Sequence, residues 1–119
     1  MQSRSIKAPT KAERARFGKM IDRGCCACRS DHGRVWLRPV EIHHLLDGGV
    51  RRGHAFTVAL CAWHHRGVVP GGDLTAAGAT KAFGPSLYHD GKAFKARYGK
   101  DDALLAFQEF LLSLPPGDS

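Results

Sequence analysis

The N-terminal part of the chain carries a helix-like pattern that follows a basic segment. Residues 1–9 are mostly polar, and we expect them to form a flexible basic tail. Thr10 can cap a helix, and Glu13 three residues later can complete a capping box with it. The pattern therefore predicts a helix from residue 11 to about residue 21, which Gly24 ends.

Branched and aromatic side chains dominate two later segments, as they do in β-strands. Residues 34–46 predict a strand that is interrupted near Pro39, and residues 56–60 predict a second strand. The Asp-Gly-Gly sequence at residues 47–49 is typical of a turn. The two strands would form a hairpin, and its long basic loop would carry Arg51, Arg52 and His54.

The remainder of the chain is predicted to contain short helices. One helix begins at Cys61 and stops at Gly67, and residues 67–86 then form a glycine-rich loop with room for one helical turn. A further helix covers residues 92–98, and Asp101 caps a last helix that ends at about residue 114.

The length and composition indicate a single small domain. With 119 residues, the chain has room for one α+β domain, which we place at residues 10–114 with a C-terminal tail at residues 115–119. No apolar run approaches the roughly 20 residues of a membrane helix, and the N-terminus lacks the apolar region of a secretory signal. We therefore expect a cytoplasmic protein with no membrane partner.

The charge balance points to a polyanion as partner. The chain has 18 Lys and Arg residues against 11 Asp and Glu residues, which gives a formal net charge of +7. An excess of this size in so small a domain is typical of proteins that bind nucleic acid.

Two short motifs have the spacing of a structural zinc site. Cys25-x-x-Cys28 and Cys61-x-x-His64 each offer two ligands, and zinc prefers four thiolate or imidazole ligands in a tetrahedron. Cys61 and His64 would share one face of a helical turn. Clustered cysteines near histidines indicate a metal rather than a disulfide in a reducing compartment.

Other interpretations of the cysteines are weaker. Free cysteines are often simply buried apolar residues, but the second motif about 30 residues downstream favours a metal. We prefer Cys25 to Cys26 as a ligand, because only one residue separates Cys26 from Cys28. A redox role for these cysteines is disfavoured, because they are not set in a βαβ pattern.

A histidine pair at the end of the first strand suggests hydrolytic chemistry. Adjacent strand residues point to opposite faces, so His43 and His44 can serve different purposes. We assign His43, together with His65 on the following helix, to a divalent cation, and His44 to the general base. A neutral imidazole can take a proton from water near neutral pH, which is what phosphodiester hydrolysis requires.

The ordered series of these motifs resembles the HNH endonucleases of the recombination-enhancement-function (Ref-type, RecA-dependent nuclease) group, which occur in phages and prophages. The resemblance covers about residues 20–112. The motifs are, in chain order, Cys25-x-x-Cys28, Glu41-Ile42-His43-His44-Leu45, Leu60-Cys61-x-x-His64-His65-Arg66-Gly67 and His89-x-Gly91-Lys92-x-Phe94-x-x-x-Tyr98-Gly99.

The resemblance implies a zinc-stabilised ββα-metal (HNH, His-Me finger) fold with flanking helices, and a DNA endonuclease that uses Mg²⁺, Mn²⁺ or Zn²⁺. It matches His44 to the general base, His43 and His65 to the catalytic metal, and His89 to a third candidate ligand. It also matches the two cysteine motifs to the structural zinc. His54 is a supporting candidate, because it lies where HNH enzymes often carry a polar residue in the hairpin. The chain contains no Asn, so His54 or Thr57 would have to replace the middle residue of the family's name.

The resemblance further implies a role in recombination with a RecA-type filament. The best-known member has a long basic N-terminal arm, whereas only 24 residues precede Cys25 here, which argues against recombinase dependence.

The expected substrate is DNA, bound with low sequence specificity because we find no recognition helix. The rival interpretation is a zinc-binding nucleic-acid module that does not cut, which would need the zinc ligands but not the other histidines. The candidate phosphate-binding residues are Arg51, Arg52, Arg66 and Lys92.

Overall fold

A computed structural model describes residues 7–31 and 36–115 of the chain, which fold as a small α+β structure. The α+β prediction is therefore confirmed. The elements in chain order are α1 (Lys11–Arg23), α2 (Cys26–Ser30), β1 (Val40–His44), β2 (Leu46–Asp47), β3 (Val50–Arg51), β4 (Thr57–Cys61), α3 (Ala62–Arg66), α4 (Ala76–Phe83), α5 (Gly91–Tyr98) and α6 (Asp101–Ser113).

An antiparallel pair of strands with a helix directly after it forms the centre of the molecule. β1 pairs with β4 so that His43 lies opposite Val58 and His44 opposite Thr57. β2 and β3 form a separate two-stranded ribbon at the tip, where Gly48 and Gly49 turn the chain with positive φ angles. The predicted hairpin and turn are thus confirmed, and α3 follows β4 without a linker.

The first strand is shorter than predicted. It begins at Val40 rather than at residue 34, and residues 36–39 are not in a strand. Pro39 has no backbone N–H to donate to a partner strand, which explains the late start. Residues 32–35 lie outside the described residues.

The helices agree with the sequence pattern at some ends and differ at others. α1 has the predicted capping box between Thr10 and Glu13, and its C-cap is Gly24. The segment predicted as a loop contains the two-turn helix α4, because Thr75 caps it and alanine-rich sequence favours a helix. α6 has Lys100 as its N-cap, so Asp101 is the first helical residue and not the cap.

The hydrophobic core lies between the β1–β4 pair and the surrounding helices. All five residues of β4 are buried, and Trp63, Phe94 and Leu111 are at most 1% exposed. In the part of the chain that the structure describes, no helix has the length and apolar character needed to span a membrane. The predicted N-terminal tail lies partly outside this part, since only residues 7–9 of it are described.

Candidate functional site

Four buried side chains converge where α2 meets α3. The ligand atoms of Cys25, Cys28, Cys61 and His64 all lie within 4.8 Å of one another. Nδ1 of His64 is 3.6 Å from the sulfur atoms of Cys25 and Cys28 and 3.2 Å from that of Cys61. The structure therefore gathers the four residues whose spacing predicted a zinc site.

Two short helices position this cluster in the same way. Cys25 is the N-cap of α2, and its sulfur accepts a hydrogen bond from the backbone N–H of Cys28. Cys61 is the N-cap of α3, and its sulfur accepts from the backbone N–H of His64. Each Cys-x-x motif is thus a helical turn that brings its second ligand back over the first.

The surroundings of the cluster fit a zinc ion. Nε2 of His64 donates to the carbonyl oxygen of Phe83 at 2.8 Å, which leaves the Nδ1 lone pair directed at the three sulfur atoms. Burial raises the pKa of Cys25, whereas hydrogen bonds from Cys25 and Cys28 hold the pKa of Cys61 far below its usual range. A bound zinc would stabilise the thiolate forms of all three cysteines.

The fourth cysteine lies outside this cluster. The thiol of Cys26 donates to the side-chain oxygen of Gln108 at 3.2 Å, and burial raises the pKa of Cys26 to about 12. This oxygen also accepts from the backbone N–H of Ala59, so Cys26 belongs to the packing between α2, β4 and α6.

His43 and His65 lie side by side, one on β1 and one on α3. Their ring centroids are 4.9 Å apart. Burial and the neighbouring His65 lower the pKa of His43 to about 4, so its ring is neutral and keeps a lone pair. Two imidazoles this close could hold part of the coordination sphere of a divalent cation.

Glu41 connects this pair to Arg66. It lies two residues before His43 on the same face of β1, and its carboxylate accepts from Nδ1 of His65 at 2.8 Å. Arg66 donates to both carboxylate oxygens, at 2.9 and 2.6 Å, and this bidentate pair together with His65 lowers the pKa of Glu41. The contact with Glu41 leaves Nε2 of His65 as the ring nitrogen available to a metal.

His44 lies on the opposite face of β1 with a different partner. Its Nε2 is 3.0 Å from Nδ1 of His54, and the edge of Phe17 from α1 packs near both rings. Burial, followed by the electrostatic effects of Arg51 and His54, lowers the pKa of His44. His44 is therefore neutral near pH 7 and can accept a proton.

His89 contacts the end of α3. Its Nε2 donates to the carbonyl oxygen of Gly67 at 3.0 Å, and its ring packs against Trp63, which lies about 200° around α3 from His65. Among residues 7–31 and 36–115, the Cys3His cluster alone gathers three or more potential ligand atoms within 4.8 Å. The structure thus supplies His43 and His65 as a pair, without His89.

The candidate phosphate-binding residues have different surroundings. Arg51 and Lys92 are exposed, whereas Arg66 is bound to Glu41. Arg52 lies 3.4 Å from Asp102 and over the ring of Phe56. Arg51 and Arg52 line a shallow depression of about 450 Å³, and a second depression beside Arg52 is lined by Lys95, Lys100, Asp101 and Asp102.

Two functional features were not found from the sequence. Glu41 was part of a motif, but a lone acidic residue in a strand gives no sign that it binds a histidine and an arginine from a helix. Lys100 was not singled out, because its position beside Arg52 depends on how α5 and α6 join.

The fold and the site define a small α+β protein with a Cys3His cluster that could hold a metal ion and a pair of histidines on each face of its central strands. The chain matches the family described as recombination enhancement, RecA-dependent nuclease, over residues 9–113, and it belongs to that family. The match supports a nuclease role and confirms the resemblance to the RecA-dependent nuclease family. The chain has no significant match among curated proteins.

Proposed function

We propose that this protein is a metal-dependent HNH-type endonuclease that hydrolyses DNA phosphodiester bonds with low sequence specificity and acts in recombination. The observation that carries the proposal is the arrangement of His43 and His44 on β1. His43 lies 4.9 Å from His65, ring to ring, whereas the neutral His44 has a separate environment on the other face. A zinc-binding module that does not cut would need neither arrangement.

In this proposal, different residues of the chain accept the proton, bind the phosphates and hold the cation. His44 takes the proton of the attacking water, and basic residues such as Arg51 and Lys92 bind the phosphates that flank the scissile bond. His43 and His65 hold a divalent cation, and Glu41 fixes the ring of His65 for that purpose. When bound, Mg²⁺, Mn²⁺ or Zn²⁺ would stabilise the negative charge that develops on the phosphate and on the leaving oxygen.

The Cys3His cluster has a structural role in the same proposal. A zinc ion there would join α2 to α3, and α3 carries both His64 and His65. The four ligands would fill the coordination sphere, so this ion would not reach the substrate. The HNH ββα-metal fold then corresponds to β1, β4 and α3.

The test is nicking of supercoiled plasmid in Mg²⁺ or Mn²⁺ by the wild type, His44→Ala and His89→Ala. Loss of the base should reduce the nicking rate at least about 100-fold, whereas the zinc content and melting temperature should stay as in the wild type. Retained nicking in His44→Ala would refute its role. Retained metal-dependent nicking in His89→Ala would limit His89 to its contact with Gly67, and a loss would restore it as a ligand.

The same assay should be run with and without a RecA filament on single-stranded DNA. The family is described as RecA-dependent. Nicking only with the filament would assign the dependence to this chain. Absence of nicking under both conditions, with DNA binding retained, would favour the non-cutting module.

A further inference from the structure

The segment before α1 contacts the histidine that lies beside the proposed base. The carbonyl oxygen of Lys7 is 2.7 Å from Nε2 of His54, across 47 residues of sequence. His54 lies in the connection between β3 and β4, and its other ring nitrogen, Nδ1, is 3.0 Å from Nε2 of His44. A chain of three groups therefore runs from the N-terminal backbone to His44.

When both rings are neutral, the hydrogen-bonding capacities of these groups fix where the protons lie. A carbonyl oxygen can only accept, so Nε2 of His54 carries the hydrogen that it donates to Lys7. In the neutral ring, Nδ1 of His54 is then an acceptor, and the hydrogen bond from His44 requires the hydrogen on Nε2 of His44. The basic lone pair of His44 is thereby on Nδ1, the nitrogen that His54 does not contact.

Helix α1 holds this arrangement from one side. Arg14 donates to the carbonyl oxygen of Pro9 at 2.8 Å, which fixes the backbone just after Lys7. The ring of Phe17 packs edge-on against His54 at a centroid distance of 5.6 Å. The segment is thus bound to the helix, and the helix packs against His54.

Thr57 holds the backbone of His54 from the other side. Its hydroxyl donates to the carbonyl oxygen of His54 at 2.8 Å, and Arg16 from α1 donates to the carbonyl oxygen of Thr57 at 2.8 Å. Thr57 is fully buried and lies opposite His44 in the strand register. His54 therefore has a fixed backbone and two fixed ring contacts, although it lies in a connection between strands.

We infer that the Lys7 carbonyl and His54 form a positioning relay that holds the proposed base, His44, in the tautomer with its lone pair on Nδ1. The inference rests on the proposed function for its catalytic meaning, but the tautomer is a property of the protein alone. His54 acts through His44 and is a positioning residue, and the backbone before α1 becomes part of the site.

The first test is a direct measurement of the tautomers by ¹⁵N-histidine NMR on the full chain. We expect His44 and His54 to be protonated on Nε2 and unprotonated on Nδ1 in the wild type. Lys7→Ala should give the same spectrum, because it keeps the backbone carbonyl. A chain that begins at Pro9 should lose the fixed tautomer of His54, whereas one that begins at Lys7 should keep it. Protonation of His44 on Nδ1 in the wild type would overturn the inference.

The second test uses two substitutions that separate the contacts of His54. In His54→Asn, the side-chain oxygen can still accept a hydrogen bond from His44 but cannot reach the carbonyl oxygen of Lys7. His54→Leu removes both contacts. We expect His54→Leu to lower kcat for plasmid nicking by about 10- to 100-fold with little change in KM, and His54→Asn to restore part of the loss. Equal activity of the three proteins would overturn the inference.

The two tests also distinguish the inference from the proposed function. If NMR shows the expected tautomers and no variant nicks DNA, the relay stands and the endonuclease proposal fails. If the wild type nicks DNA but His44 has a mixed or opposite tautomer that His54→Leu does not change, the endonuclease stands and the relay fails.

Discussion

Among the single side chains, Glu41 connects His65, a proposed cation ligand, with Arg66, a candidate phosphate-binding residue. Its carboxylate accepts one hydrogen bond from His65 and a bidentate pair from Arg66, so it satisfies an imidazole and a guanidinium at once. The negative charge favours the hydrogen on Nδ1 of His65 and thus a lone pair on Nε2. Arg66, which was predicted to bind DNA, has Nε and Nη2 committed to Glu41.

Glu41→Gln should therefore impair the proposed cation site without unfolding the protein. A neutral amide oxygen accepts more weakly and cannot serve both partners, because one of its two positions becomes a donor. We expect nicking to fall by about 10- to 100-fold, with a higher Mg²⁺ or Mn²⁺ concentration needed for half-maximal rate. The measurement is the metal dependence of plasmid nicking.

Glu109→Gln is the matched control for this substitution. Glu109 also accepts from an arginine, Arg16, at 2.6 Å, but on α6 and away from His43 and His65. Glu109→Gln should leave the metal dependence of plasmid nicking unchanged. The role assigned to Glu41 would be wrong if both variants required the same metal concentration as the wild type.

At the level of elements, α3 carries much of the site although it has only five residues. Its N-cap, Cys61, and its residue His64 face the zinc cluster, whereas His65 faces β1. Gly67 ends the helix with φ of +71°, a left-handed conformation that glycine adopts at little cost. The ring of His89 lies directly against this glycine.

Gly67→Ala should consequently destabilise the protein. A Cβ atom there would lie 2.5 Å from the ring of His89 in a backbone conformation unfavourable for alanine. We expect the free energy of unfolding to fall by about 1–2 kcal/mol in urea denaturation. Gly18→Ala, on the exposed side of α1 with no atom near its Cβ, should instead raise it by up to about 1 kcal/mol. Equal stability of Gly67→Ala and the wild type would contradict this account.

Features that depend on residues close together in the sequence could be predicted from it. The capping box of α1 and the two Cys-x-x motifs depend on residues three positions apart, and the sequence therefore predicted them. α4 was not predicted, because the surrounding segment is rich in glycine and other small residues, although Thr75 caps the helix.

Contacts across long stretches of chain could not be predicted from the sequence. The contact of Lys7 with His54 joins residues 47 apart, and that of Glu41 with His65 joins residues 24 apart. His44 and His54 were both candidates, yet their hydrogen bond depends on how the β3–β4 connection folds back over β1.

At the scale of the whole molecule, the Cys3His cluster connects two segments that are far apart in the sequence. It joins α2, near the N-terminal helix, to the start of α3 after the β1–β4 pair. A domain of this length buries a modest core and contains 14 glycines, which lose much backbone freedom on folding. A zinc ion that binds only the folded chain would therefore contribute a large share of the stability.

The buried cysteines provide a test with an internal control. Cys28→Ser should abolish the binding of one zinc per chain and lower the melting temperature by more than about 10 °C, because the cluster loses a thiolate ligand. Cys26→Ser changes a cysteine that is equally buried but bound to Gln108, so it should retain one zinc and show only a moderate loss of stability. A chelator should lower the melting temperature of the wild type and of Cys26→Ser toward that of Cys28→Ser. If Cys28→Ser kept the metal-loaded melting temperature, or if Cys26→Ser lost the zinc, the assignment of the ligands would be wrong, and α3 would owe its position to packing alone.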